Sequence, residues 1–460
     1  MNTSLRRQKC LPMAIVLLVI CFASWPHPGM ANEDNYTSLA VIKKTLAEHV
    51  SFDFRALTYG VIQEPAHSSQ NPGNNFLQIP RYLADLELRP DLRLNIDPFE
   101  LSVKPRMKLE YRIWRDGERK GDSQWGNDWY INEWLARWKA RDNLFLSYGR
   151  ENLQWGPSFL FSSSNPFFQD NGRRNPYLEV PGMDFGRLVW IPKSSWTLSL
   201  IANTDDGLNK ANAPGRYLAS TPSLPFEKTY ALKVDYTGRE NYASAILSYR
   251  GDSKISLGFF GGWTLSDAIL LYSEGVITQG SQAFYPEKDR SPFGASMQKI
   301  FQDDHTIKPI LLVGGSYTFR TSGTLTMEYV YHSPGYSDAR ADSYYALRRN
   351  AAEALPLGGL ASALGQRVLG QTANTGLRLL RKNYALLQYS QNNIRNVIDL
   401  TVRWTQNLDD GSGQLTTVVA YSLGKHLELF SVATVMAGGK NTEFGSFLDY
   451  QGMIGLKYTF

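Results

Sequence analysis

Between Leu101 and Ile113 the chain alternates without a break. Leu101, Val103, Pro105, Met107, Leu109, Tyr111 and Ile113 are apolar, while Ser102, Lys104, Arg106, Lys108, Glu110 and Arg112 are polar and mostly charged. Strict period-two alternation makes a strand with one apolar and one polar face. A soluble sheet would turn such a polar face to bulk water and has no reason to crowd positive charge on it. Similar segments recur to the last residue. Their spacing predicts eighteen strands, at 52–60, 82–96, 101–114, 129–141, 144–152, 184–192, 196–203, 228–237, 242–250, 255–264, 268–276, 308–319, 324–332, 383–390, 397–406, 415–423, 427–436 and 450–460. The connections run long, short, long, short, and most short ones carry turn-forming residues, as in Asp97-Pro98-Phe99-Glu100 and Asp142-Asn143.

Short turns at one end and long loops at the other are the pattern of a closed antiparallel transmembrane β-barrel, with periplasmic turns and extracellular loops. An even strand count returns both termini to the periplasm. Tyr82, Tyr111, Trp134, Trp138, Tyr148, Tyr230, Tyr236, Tyr249, Tyr317, Phe319, Tyr329, Tyr331 and Trp404 lie near the ends of the apolar rows, where rings favour the headgroup level. No segment offers a transmembrane helix, and only helices and closed barrels satisfy the backbone in lipid.

The one long apolar run, Leu11 to Ala23, follows Arg6, Arg7 and Lys9 and precedes Gly29-Met30-Ala31. It is too short to span a bilayer and reads as a secretory signal over residues 1–31. Residues 32–51 follow as a short periplasmic helix, centred on Asn35 to Val50, and residues 52–460 as the barrel. Cys10 and Cys21 both fall in the signal, so disulfides, zinc–thiolate sites and thiol catalysis are excluded from the mature chain. Removing the three basic residues of the signal reduces the formal net charge from +5 to +2. That balance gives no general polycation and no nucleic-acid partner; any charge asymmetry must be local.

The chain ends in "GMIGLKYTF", with Phe460, Tyr458, Leu456 and Ile454 on one face and Gly455 among them. This is similar to the terminal strand signal of bacterial outer-membrane proteins, in which Phe460, Tyr458 and Leu456 would address the assembly machinery. Met453 departs from the polar residue usual there. "LFLSYGRENLQWGPSFLFSSSNPFF" (144–168) and "LLVGGSYTFRTSGTLTMEYVYHSPGYS" (311–337) resemble segments of outer-membrane porins of the eighteen-stranded alginate-export type. The resemblance implies a pore-forming barrel of the Gram-negative outer membrane, with a charged lumen and a long loop folded near its mouth.

The polar face of the opening strand then becomes a lumen wall. On neighbouring strands the inward basic residues are Arg89, Arg93, Lys104, Arg106, Lys108, Arg112, Arg137, Lys139 and Arg141, against Glu87, Asp91, Glu110 and Glu133. Such a patch can focus a field that concentrates anions, or it can be a ladder of cross-strand ion pairs. The residues 333–382 form the longest loop, with helical composition and basic character. Arg348, Arg349, Arg367 and Arg378 make it the candidate constriction, and a surface loop that meets lipopolysaccharide phosphates is the other reading.

Nothing points to an enzyme or a cofactor. The histidines are scattered, H-E-x-x-H and C-x-x-C-H are absent, and neighbours His332 and Ser333 would point to opposite faces of a strand. Two function classes follow. One is a passive channel, porin or exporter, for an anionic solute or polysaccharide. The other is a structural barrel that anchors surface polysaccharide or sheathes a periplasmic partner docked through the N-terminal helix. Membrane lipid and lipopolysaccharide are expected partners of both.

Overall fold

The computed structural model describes residues 48–168, 170–209, 226–251, 254–302 and 305–460. The signal segment and most of the expected N-terminal helix lie outside them; only Glu48 and His49 are helical before the first strand begins.

Strands β1 (Val50–Pro65), β2 (Tyr82–Ile96), β3 (Phe99–Ile113), β4 (Ser123–Arg141), β5 (Leu144–Glu151) and β6 (Met183–Lys193) open the barrel. They continue as β7 (Trp196–Asp205), β8 (Thr229–Thr237), β9 (Asn241–Arg250), β10 (Lys254–Ser266) and β11 (Ile269–Gln279). A small separate hairpin, β12 (Tyr285–Lys288) with β13 (Ala295–Gln298), comes next. The barrel resumes with β14 (Ile307–Thr318), β15 (Gly323–His332), β16 (Asn383–Ile394) and β17 (Ile398–Asn407). It ends with β18 (Gly413–Ser422), β19 (Leu427–Ala437) and β20 (Leu448–Thr459). Each barrel strand pairs antiparallel with the next, and β20 pairs with β1, so the 18-stranded sheet closes on itself. Every expected strand is present. The seam is sealed to its last residue, where Phe54 and Phe460 exchange backbone hydrogen bonds. The terminal Phe460, Tyr458 and Leu456 all lie exposed beside that seam.

The alternation read from the sequence separates an outer from an inner face. On β15, Met327, Tyr329 and Tyr331 are exposed, whereas Thr326, Glu328, Val330 and His332 are buried inside. Aromatic rings ring the outer face at two levels. Phe99, Trp138, Trp196, Trp263, Tyr458 and Phe460 sit near the short turns, and Tyr82, Trp125, Tyr230, Tyr249 and Tyr331 near the longer connections. An outside that is apolar between two aromatic bands is built for lipid.

Strand β4 begins at Ser123, six residues earlier than its alternation suggested. The reason is a bulge. Lys104 pairs with Glu133 but Pro105 pairs with Ile131, leaving Asn132 as the extra residue. An extra residue reverses the side-chain phase, so a pattern followed back from Glu133 fails at that point.

The inner face also differs from a uniformly polar lumen. Leu57, Ile201, Ile246, Leu312, Val330 and Phe430 point inward and are almost completely covered. A covered apolar inner wall requires something inside the barrel.

At the loop end, α1 (Asp338–Glu353) and α2 (Gly359–Ala373) form a hairpin within residues 333–382, as their composition predicted. Tyr336, Tyr344, Tyr345 and Leu347 pack on Ala283, Tyr285, Ala295 and Met297 of the β12–β13 segment. We expect this end to face outward: a cysteine at Asp205 or Ala361 should label with an impermeant maleimide on intact cells, and one at Asn143 in the β4–β5 turn should not. Equal labelling at Asn143 would invert the topology.

Candidate functional site: a loop drawn into the lumen

The segment inside the barrel is residues 152–182, between β5 and β6. It reaches walls on every side. Glu274 of β11 accepts hydrogen bonds from the Ser164 backbone (3.0 Å) and from the hydroxyls of Ser162 and Ser164 (both 2.9 Å). Glu328 of β15 accepts from the Phe159 (2.7 Å) and Leu160 (3.1 Å) backbones and from the Tyr272 hydroxyl (2.9 Å). Two buried acids of the inner wall are thereby supplied with donors, as burial of a carboxylate demands. Farther round, Arg403 of β17 donates to the Arg173 carbonyl (3.1 Å) and Arg174 to Gln414 of β18 (3.2 Å). Tyr177 stacks on Phe430 with ring centroids 3.8 Å apart and donates to Glu428 of β19 (3.0 Å).

Three apolar anchors explain the covered inner wall. Phe168 packs among Phe185, Ile201, Ile246 and Phe260; Phe161 among Tyr272, Ile310, Leu312 and Val330; Tyr177 among Leu57, Tyr59, Phe430 and Met453. Two glycines permit the approach. Gly156 has φ +88°, and a Cβ there would lie 2.3 Å from the Glu274 carboxylate; a Cβ on Gly258 of β10 would meet the Ser164 carbonyl at 2.8 Å.

The remaining wall, β1 to β5, carries the charges. Arg106 holds Glu179 of the loop with two bonds, Nε at 2.6 Å and Nη2 at 2.8 Å, and reaches Asp91 at 2.9 Å. Arg55 bonds Asp91 (2.7 Å), and Arg89 bonds Glu87 and the Tyr177 carbonyl. Of the other sequence-selected lumen residues, Arg93 lies 3.7 Å from Glu100, Lys104 2.9 Å from Glu133 and Lys108 3.2 Å from Glu110. Arg112 pairs with Glu110, Arg137 with Glu100 (2.8 Å), and Lys139 with Asp142 (2.9 Å). Arg141 is exposed and has no carboxylate partner among the described residues. Eight of the nine therefore have a carboxylate within 4 Å. The sequence tally left out the acids that come from turns and from the inward loop: Asp97, Glu100, Asp142 and Glu179.

The candidate constriction residues of 333–382 lie elsewhere. Arg348 is buried in the cap that the α1–α2 hairpin forms with the neighbouring connections at the loop end, where it donates to both the side chain and the carbonyl of Gln70 (2.9 Å each) and to Thr372 (2.8 Å). Arg349 and Arg367 are exposed on the helices. Arg378 alone meets the inward loop, 3.3 Å from Asp170. His332 is buried, its ring Nδ1 at the Arg381 carbonyl, rather than beside Ser333. The described residues contain no group of three or more His, Cys, Asp or Glu that could hold a metal ion.

The inward loop divides the accessible space. A cavity of about 1490 Å³ lies toward the loops, lined by Arg112, Trp114, Phe167, Glu179 and Lys299 among others. A smaller one, about 480 Å³, lies toward the turns, lined by Arg93, Glu100, Lys104, Glu133, Arg137 and Arg150.

A closed eighteen-stranded barrel with a lipid-adapted outside and an inward loop is a porin-type β-barrel, the class that occupies the bacterial outer membrane. Among solved structures, the chain is similar to OccAB1 of Acinetobacter baumannii (11% identity, 90% of this chain and 96% of that one, TM-score 0.50). It is also similar to the outer-membrane protein OprD of Pseudomonas aeruginosa (8% identity, 89% and 94%, TM-score 0.49) and to OccK7 of the same organism (9%, 90% and 98%, TM-score 0.49). The likeness is one of fold, and it does not single out the alginate-export type. No protein-family model and no curated protein matches the chain in sequence.

Proposed function

We propose that the protein is a passive outer-membrane channel whose lumen favours anionic solutes. Its carrying observation is a difference in exposure. In the turn-side chamber the cations face the solvent more than their carboxylates do: Arg93 is 61% exposed and Arg137 39%, against 23% for their shared partner Glu100. Lys104 (31%) likewise exceeds Glu133 (23%). Paired charges of unequal access leave a positive potential on the solute's side, and low-dielectric walls focus it. A sheath for a periplasmic partner would need a lumen open along its length, and residues 152–182 cross it.

The test is current through the purified protein in planar bilayers under a salt gradient. The reversal potential should have the sign of anion preference and weaken with salt, because the Debye length falls from about 10 Å at 0.1 M to about 3 Å at 1 M. Replacing Arg93, Lys104 and Arg137 together with glutamine should move it toward zero while the barrel folds normally, since lumen substitutions tune selectivity. Cation preference in the unaltered protein would overturn the anion reading.

A further inference from the structure

The ladder between β2 and β3 is interrupted once. Leu88 pairs with Met107 and Leu92 with Val103, and the rungs between them are missing. Continuing the register sets Arg89 opposite Arg106, Pro90 opposite Pro105 and Asp91 opposite Lys104. Neither proline has an N–H to give. Opposed residues of an antiparallel ladder alternate between pairs that exchange two N–H···O bonds and pairs that exchange none. A Pro90–Pro105 pair of the first kind loses both of its bonds, and with them the two rungs they frame, which is the extent of the gap.

The gap lies at the depth of the hydrocarbon. Pro105 is midway along β3 between Phe99, in the turn-side aromatic band, and Tyr111, which packs on Trp125 of the loop-side band. Its row, with Leu101 and Val103, and that of Pro90, with Leu86, face outward. Lipid offers no water to carbonyls left without donors. Arg106 supplies the donors from inside the barrel. Its Nη1 donates to the Pro105 carbonyl (2.8 Å) and to the Pro90 carbonyl (3.1 Å). A terminal guanidinium nitrogen carries two hydrogens, so both go to the two acceptors that the prolines orphan. The rest of the group is fixed: Nε and Nη2 hold Glu179, and Asp91, 2.9 Å from Nη1, balances the charge.

We infer that Arg106 is a seam residue: it replaces, from the lumen side, the two backbone donors missing at the Pro90–Pro105 pair, and so bolts β2 to β3 in the middle of the membrane. At this level the wall is closed by one side chain, and the barrel parts here first when that side chain is withdrawn. Arg106 therefore belongs to the wall, whatever solute the channel passes. The inference does not rest on the anion reading, which is carried by Arg93, Lys104 and Arg137.

The experiment restores the missing donors in the backbone. It compares wild type, Arg106→Met, the pair Pro90→Val with Pro105→Val, and all three changes together, in detergent micelles. The readouts are hydrogen exchange at the Leu88, Leu92, Val103 and Met107 amides and the temperature at which the folded band is lost on a gel. In Arg106→Met, exchange at these amides should rise about tenfold or more, because two buried carbonyls lose their donor, and the gel temperature should fall. The valine pair alone should change little. In the combined variant the valine N–H groups take over, and exchange at the seam should return to near the wild-type rate. Loss of the Glu179 and Asp91 pairs is common to both Arg106 variants, so the recovery reads the seam alone. Wild-type exchange in Arg106→Met would overturn the inference. So would an equal gain from the valine pair with and without Arg106, since the two would then be uncoupled. If Arg106→Met fails to assemble, the combined variant decides: assembly supports the seam, and a second failure overturns it.

Discussion

Replacing residues 153–180 with a short glycine–serine bridge should raise single-channel conductance by about an order of magnitude without preventing barrel assembly. The loop is held inside by bonds to Glu274, Glu328 and Arg106 and by the Phe161, Phe168 and Tyr177 anchors. None of these contributes to the strand-to-strand ladder, which closes through β1 and β20. The ends of the excised segment already meet: Glu151 pairs with Met183, and a Cβ on Gly182 would lie 3.4 Å from the Glu151 carbonyl carbon. A bridge therefore preserves the β5–β6 register. Glu274 loses its loop donors and Glu328 keeps only the Tyr272 hydroxyl, but both gain water, so neither is left as a buried unsatisfied charge. Exposed Phe185, Phe260 and Phe430 should lower the unfolding temperature, as lost apolar burial requires. An eighteen-stranded barrel relieved of its inner loop is wide enough for an aqueous channel. Unchanged conductance would mean that current passes elsewhere or that residues 152–182 do not limit it.

The same anchors show where sequence reading stops. The strands were legible because lipid on one side enforces period-two alternation on every one of them, and the eighteen segments follow that constraint. Phase fails twice in β4, at the extra residue Asn132 and again between Lys139 and Arg141, where Arg141 pairs with Leu144 and so leaves the lumen row expected for it; no periodicity announces either. The inward loop was not legible as such. Its length and charge are less conspicuous than those of residues 333–382, which have the helical composition of α1 and α2 and pack on β12 and β13 instead. What holds 152–182 inside is a set of single contacts without repeat: Ser162 and Ser164 to Glu274, Phe159 to Glu328, Glu179 to Arg106. One signal was present. Glu274 stands alone between Tyr272 and Val276 on the inner row of β11, and a lone acid in an apolar row must be met by donors from somewhere else in the chain. The charge of the β2–β4 wall was misjudged for a related reason. Its basic residues lie on regular strands, where alternation reveals them, whereas several of their partners lie in turns and in the loop.

The second large effect concerns pH and the loop end. Glu443, between β19 and β20, accepts hydrogen bonds from the Leu380 backbone (3.0 Å), from Asn407 (2.8 Å) and from the Tyr384 hydroxyl. It thereby ties the β15–β16 segment to two neighbouring connections. Desolvation within this cluster pushes its carboxyl up to about 7, and the nearby Asp410 adds to the rise, while the donors from Tyr384, Leu380 and Asn407 oppose it. In an opened cap the same group would ionise near its ordinary value of 4.5. Between those two values the closed cap binds the proton and the opened one does not. Closure is thus strongest below about 4.5, weakens as pH rises toward about 7, and is constant above it. The opening equilibrium changes by at most about tenfold per pH unit for one linked proton, and by less where solvent reaches the group. Hydrogen exchange at the Leu380 and Glu443 amides, corrected for intrinsic rates, should therefore lose protection between pH 5 and 7 and level off above. Glu443→Gln cannot ionise, so its protection should be flat over the same range and should exceed that of wild type at pH 8. A pH response that survives the substitution unchanged would mean that Glu443 is not the group that controls the loop end.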